Sequence, residues 1–355
     1  MARNIKVSEA IKEATDLCMA KDSSVYIMGL GIPQDPFGLF GTTTGLYEKY
    51  GPDRIMDMPT AENGMTGVAI GSTMVGMRPI MAHQRMEFAM LSVEQIINQA
   101  ANWYYMFEKQ GFRMPLVVRM FIGRGWGQGP QHSQSFQSMY AHCPGLKVVM
   151  PATPHDAKGL MIAAIEDDNP VIYLEHRWIH NVFGDVPEEH YSIPIGEARV
   201  ATEGNDVTLV SSSYMTLEAI RCAELMKQGG INVEVIDLRT ISPLDKESIF
   251  KSVRKTGRLV VADPGWKSFG VGAEILALVA EELHGELSSK PVRITFPDVP
   301  LPSSPGLTKL FYPRTIHLMN AIYGLLGLPE KTEVELGLAT DVPFDIPDKS
   351  FTGPF

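Results

Sequence analysis

Short apolar runs ending in glycine or a turn, each followed by a helix-length stretch, recur along most of this chain. Such alternation needs crossover connections, which a parallel sheet covered by helices supplies. The runs are SVYIMGLG (24–31), MRPIMAH (77–83), MPLVVRM (114–120), LKVVMPA (146–152) and PVIYLEH (170–176), with a shorter strand expected at 54–58. Helices are expected over 7–20, 61–75, 86–108 and 155–168. The helix at 61–75 carries Gly64, Gly67 and Gly71, a poor composition for a helix unless another backbone packs close.

The pattern stops in a polar stretch, 181–205, broken by Pro187, Pro194 and Gly196, and then restarts. Strands are expected at 206–213, 231–239, 257–263 and 291–296, with helices at 215–228, 243–255 and 270–284. The division that follows is a first domain over 1–190, a linker over 191–205, a smaller α/β domain over 206–327 and an extended tail over 328–355, on the surface or across a partner. A length of 355 residues also favours two cores over one.

Composition narrows the function. A net charge of -10 argues against a nucleic-acid partner, whose phosphates would repel it. No apolar run reaches membrane-spanning length. The three cysteines, Cys18, Cys143 and Cys222, are odd in number and far apart, which points to a reducing, cytoplasmic setting. Neither a P-loop nor a complete dinucleotide fingerprint is present.

Some residues could carry chemistry. Glu62, in PTAEN, stands where a strand gives way to a helix. From spacing it reads first as a first-turn carboxylate favoured by the helix dipole, with a buried carboxylate facing a basic nitrogen as the alternative. His132, in QHSQSF, follows a glycine-rich stretch with Arg124 and Trp126. It is either an ordinary loop histidine or a proton shuttle. His83, Arg85 and Glu87 alternate after an apolar strand, so as a continued strand they would share one face at its carboxyl end, the usual ligand side of such sheets. His176 and His180 have helical metal spacing but no HExxH context, and read as structural.

Several ordered stretches then carry a resemblance. TAENGMTGVAIGSTMVGMRPI, EQIINQAANWYYMF, QHSQSF and AHCPGLKVVMPATPHDAKGLMIAAIEDDNPVIYLE resemble a transketolase-like pyrimidine-binding domain. EVIDLRTISPLD, KTGRLVVAD and PDVPLPSS resemble a transketolase C-terminal domain. Over roughly 5–325 the chain is similar to the beta subunits of thiamine-diphosphate-dependent 2-oxo acid dehydrogenases, the E1 component of the pyruvate, branched-chain and acetoin type.

The resemblance implies an α/β fold with those two domains in that order. It implies an enzyme that works only with an alpha subunit, in an alpha2beta2 heterotetramer, and that hands an acyl group to a lipoyl E2 protein. Alpha would hold the diphosphate and Mg2+ through a GDG motif, which this chain lacks. Carried over residue by residue, Glu62 would pair with ring nitrogen N1′ of thiamine diphosphate, with Gln84 and Phe88 lining the pyrimidine pocket. His132 would assist charge handling and acyl transfer. A potassium ion would sit mostly on backbone oxygens at Leu116, Ala164, Ile165, Asp167 and Asn169.

The chain departs from the family's pattern at AHQRM, where Ala82 stands in place of a usual glutamate, and at the Arg124–Gly127 cluster. SSPGLTKL also departs from the usual C-terminal pattern, in a region tied to E2 binding. His83, Arg85 and Arg124 therefore become substrate-facing candidates. The departures open an alternative, a two-component transketolase-like enzyme that moves a two-carbon ketol or acyl unit in specialised metabolism.

Overall fold

A computed structural model describes residues 2–33, 38–123 and 125–349. Arg124 lies outside the described residues, as does the end of the tail. Fourteen strands run in chain order. They are β1 (Ala2–Lys6), β2 (Val25–Gly29), β3 (Ile55–Met56), β4 (Arg78–His83), β5 (Val117–Ile122), β6 (Lys147–Val149) and β7 (Val171–His176). After these come β8 (Phe183–Pro187), β9 (Arg199–Thr202), β10 (Val207–Ser211), β11 (Val233–Asp237), β12 (Thr240–Ser242), β13 (Leu259–Trp266) and β14 (Val292–Phe296).

The larger sheet has the order β12-β6-β7-β5-β4-β2-β3, parallel except for β12. The smaller has the order β14-β13-β10-β11-β9, parallel except for β9. The central strands of both sheets are mostly apolar and buried from end to end, as strands covered by helices on both faces are. The mixed α/β, transketolase-like reading of the sequence describes this architecture.

Several local expectations need correction. The stretch 181–205 is not all connection: β8 pairs antiparallel with β1, and β9 forms an edge of the second sheet. β12, from the second half, adds to the first sheet, with Thr240 opposite Val149. These short pairings lack an apolar period because each is an edge with one solvated side. The long helix expected over 86–108 is a series of pieces: Met86–Ala89, a 3-10 turn at Met90–Ser92, a π-helical segment at Gln95–Ala100 and Ala101–Phe107. A π-turn inserts one residue and so changes which face meets the core. Of the tail expected on the surface or across a partner, the described residues 328–349 are mostly exposed, but Phe344, Asp345 and Ile346 are buried.

Buried charges tie these layers together. Arg119 on β5 and Glu175 on β7 are both fully buried, and the guanidinium donates to both carboxylate oxygens at 2.6 and 3.0 Å. Arg119 also donates to the Thr42 hydroxyl at 2.8 Å, which fastens the loop after β2 to the sheet. Burial works to raise the Glu175 pKa, but Arg119 and His180 outweigh it and the net shift is downward. Arg119→Ala would strand a buried carboxylate and should cost about 3–5 kcal/mol. Urea unfolding measures this, and Arg119→Ala with Glu175→Ala together should cost less than the sum of the two.

Candidate active site

Parallel pairing of β3, β2, β4 and β5 brings their carboxyl ends to one edge of the sheet. Ligands of open α/β sheets bind in crevices outside such ends. Three segments meet there: the start of helix Glu62–Thr73, the turn after β4, and the glycine-rich loop after β5.

Glu62 is the first residue of its helix and is only 6% exposed. Among the described residues its carboxylate has no hydrogen-bond partner. The helix dipole favours a negative charge at this end. Glu62 is thus a first-turn residue, as one reading had it, and it is buried without a hydrogen-bond partner among the described residues. One turn further along lies Thr66, whose hydroxyl is 3.3 Å from Nε2 of His83. That contact fixes the Glu62 helix against the end of β4.

His83, Arg85 and Glu87 do not share a face. β4 stops at His83, and Arg85 is already the cap of the Met86–Ala89 helix. Strand alternation therefore ends before it can align them. His83 is 2% exposed, with Nδ1 buried and unpartnered, and burial lowers its pKa to about 4. It is a neutral imidazole near pH 7 and brings no positive charge to this edge. Arg85 lies over the Phe88 ring, 5.6 Å from its centroid. Glu87 accepts the Gln134 amide at 2.6 Å and so ties the glycine-rich loop to this turn.

Phe88 is 41% exposed and meets His132 edge to face, with ring centroids 5.8 Å apart. Gln84 donates to the Leu30 carbonyl at 2.9 Å, which holds the turn after β4 against the end of β2. The structure thus gathers Gln84, Arg85, Phe88 and His132 at one edge, with Glu62 and His83 joined to them through Thr66. Asp57 was not found from the sequence. It accepts the Gly31 and Met58 amides at 2.6 and 2.8 Å and shapes the loops beside Glu62, a role without a sequence signal.

The five positions expected to hold potassium lie elsewhere. The Ile165 and Asp167 carbonyls both accept from the Arg78 guanidinium, at 3.2 and 3.1 Å. Lys147 pairs with the Asp167 carboxylate, Asn169 donates to it, and the Leu116 carbonyl accepts from Val171. The place is oxygen-rich and already turned toward positive charge. Ala164 is in the last turn of helix Pro154–Glu166, whose dipole adds to this.

Residues 3–180 match the transketolase pyrimidine binding domain, and residues 196–318 the transketolase C-terminal domain. The beta subunit of a Cupriavidus necator acetoin:2,6-dichlorophenolindophenol oxidoreductase is 40% identical over 330 residues, covering 90% of this chain and 97% of that one. The pyruvate dehydrogenase E1 component subunit beta of Rickettsia bellii is 41% identical over 318 residues, with 90% and 97% covered. The chain belongs to this family of E1 beta subunits. A solved structure described as a split gene transketolase, an inactive beta4 tetramer, shares the fold with a TM-score of 0.74 at 23% identity, covering 92% of this chain and 99% of that one. Thiamine diphosphate is the family's cofactor.

The lowered His83 pKa has a consequence for stability. A folded value of about 4 lies below the ordinary 6.5, so the unfolded chain takes up this proton first as pH falls. The contribution is complete above about pH 6.5 and is lost as pH falls toward 4. At pH 5 the loss from this residue should reach about 2 kcal/mol. His83→Gln should remove that share of the acid sensitivity, read as a smaller change in urea midpoint between pH 7 and 5.

Proposed function

We propose that this chain is the beta half of a thiamine-diphosphate-dependent 2-oxo acid dehydrogenase E1. In this reading an alpha subunit completes the site in an alpha2beta2 assembly and holds the diphosphate and Mg2+. The observation that carries it is Glu62, a buried residue whose carboxylate has no hydrogen-bond partner among the described residues, at the carboxyl edge of the sheet of a family member.

The residues present fit the aminopyrimidine of the cofactor. Glu62 would hold a proton shared with N1′, and low dielectric strengthens that interaction. Phe88 offers a partly exposed ring face, and Gln84 braces the loop beneath it. Once bound, the cofactor supplies a carbon nucleophile and an electron sink. His132, against Phe88, would donate or accept a proton during acyl transfer. Arg85 brings a positive charge over the same ring and would orient the carboxylate of a 2-oxo acid. Acyl transfer to a lipoyl E2 completes the reaction. The free cysteines Cys18, Cys143 and Cys222 support a reducing, cytoplasmic location.

Potassium belongs to the same proposal. The Ile165 and Asp167 carbonyls would be shared between the ion and Arg78, with Leu116, Ala164 and Asn169 nearby. Replacing choline chloride by potassium chloride at constant ionic strength should raise the melting temperature. The same shift with every monovalent salt would remove the ion from the proposal.

The test of function is a product assay on the co-purified alpha–beta pair with thiamine diphosphate, Mg2+, a panel of 2-oxo acids and a lipoyl domain. Acylated lipoyl product is expected. A ketol product formed on an aldehyde from ketose phosphates, with no lipoyl acylation, would instead establish the two-carbon transferase. Glu62→Gln in the pair should lower turnover about 100-fold or more while the melting curve is retained. Near-wild-type turnover would remove Glu62 from its role.

A further inference from the structure

The loop that carries His132 is closed by its own contacts at the base and by the C-terminal segment at the tip. At the base, the Gly123 amide donates to the Gln134 carbonyl at 3.4 Å, and the Gly125 amide to the buried Ser133 hydroxyl at 3.0 Å. At the tip, the Trp126 amide donates to the Asp345 carbonyl at 2.8 Å, and the Gly127 amide to Asp345 Oδ2 at 2.8 Å. Asp345, 218 residues away in sequence from Gly127, thus takes two successive amides of the loop. The fit is close. Gly125 has φ of +58°, and a Cβ there would come 2.2 Å from the Asp345 carbonyl oxygen. A Cβ on Gly129 would meet Ser303 Oγ at 2.3 Å.

The segment around Asp345 is itself anchored. Arg314, 8% exposed, donates to the carbonyls of Ile346 at 2.7 Å and Pro347 at 2.8 Å. Its Nε donates to the buried Glu218 at 3.1 Å. Glu218 also accepts from the amide and hydroxyl of Thr315, both at 2.5 Å. Phe344 and Ile346 are buried on either side of Asp345. A continuous set of contacts therefore runs from the core of the second half through Arg314 and Asp345 to the His132 loop. The match to the transketolase C-terminal domain ends at residue 318, so Asp345 lies beyond both matched stretches, while the loop it holds and Arg314 lie within them.

We propose that residues 340–347 form a wall of the active site, in which Asp345 is a positioning residue that fixes the tip of the His132 loop and thereby governs entry of the acyl acceptor. Glu62 follows β3 at the far end of the strand row, whereas His132 follows β5 and meets Phe88 at 5.8 Å, so the loop that Asp345 holds borders the site opposite Glu62. Trp126 at its tip is 42% exposed and held with φ of +51°, a backbone state that a residue other than glycine keeps only under external constraint. The acceptor assignment rests on the function proposed above, whereas the clamp itself does not.

The experiment has two readouts on the alpha–beta pair. The first is amide exchange in the peptide spanning Gly125–His132, which needs no turnover. Asp345→Ala should speed exchange at Gly127 about 10-fold or more, and a chain ending at residue 339 should release Trp126 as well. Asp345→Asn, which keeps an acceptor oxygen, should restore most of the protection. The second readout is kinetic, with a lipoyl domain as one acceptor and 2,6-dichlorophenolindophenol as a small one. Asp345→Ala should raise KM for the lipoyl domain about 10-fold, a larger change than it makes in KM for the 2-oxo acid or for the dye. Unchanged exchange in Asp345→Ala would overturn the clamp. Faster exchange with unchanged lipoyl KM would overturn its role toward the acceptor. Wild-type inactivity on every donor would overturn the functional reading and the acceptor role with it, while exchange would still decide the clamp.

Discussion

Parallel pairing of β2, β3, β4 and β5 is the constraint on which the site depends. A parallel strand must return through a crossover, so every strand in the row ends on the same side. The helix carrying Glu62, the turn carrying Gln84 and Phe88, and the loop carrying His132 are therefore neighbours although 70 positions separate Glu62 from His132. Each begins where a buried strand ends, which gives flexible chemistry a rigid base.

Buried polar contacts then set the orientation of these pieces. Arg119 with Glu175 joins two central strands to the loop after β2, and the His83–Thr66 contact joins the end of β4 to the Glu62 helix. The Gln134 amide on Glu87 brings the glycine-rich loop against the turn that follows β4. Hydrophobic burial alone would leave these angles loosely defined, because it has no direction; hydrogen bonds do. The same logic applies at the C-terminus, where Arg314 collects carbonyls from a segment without regular structure and so turns a polar, proline-rich stretch into a fixed part of the fold.

The central strands were legible because buried strands are predominantly apolar, and helices such as Val7–Lys21 because their apolar positions recur at helical spacing. Glu62 was legible as a candidate from its place at a strand-to-helix junction, but its burial was not. The grouping of His83 with Arg85 failed because β4 stops at His83 and Arg85 caps the next helix, so the strand alternation never reaches Arg85. β8, β9 and β12 were missed because edge strands of three to five residues carry no period of their own.

By itself, the sequence determined the alternation of elements, the class of fold and the residues that resemble a thiamine-diphosphate site, since these depend on local period and on motifs a few residues long. Only the tertiary structure decided that His83 is neutral, that Arg78 shares the oxygens expected for an ion, and that Asp345 reaches the His132 loop. Each of those depends on contacts between segments distant in sequence, and a residue's protonation and partners are set by what surrounds it in space.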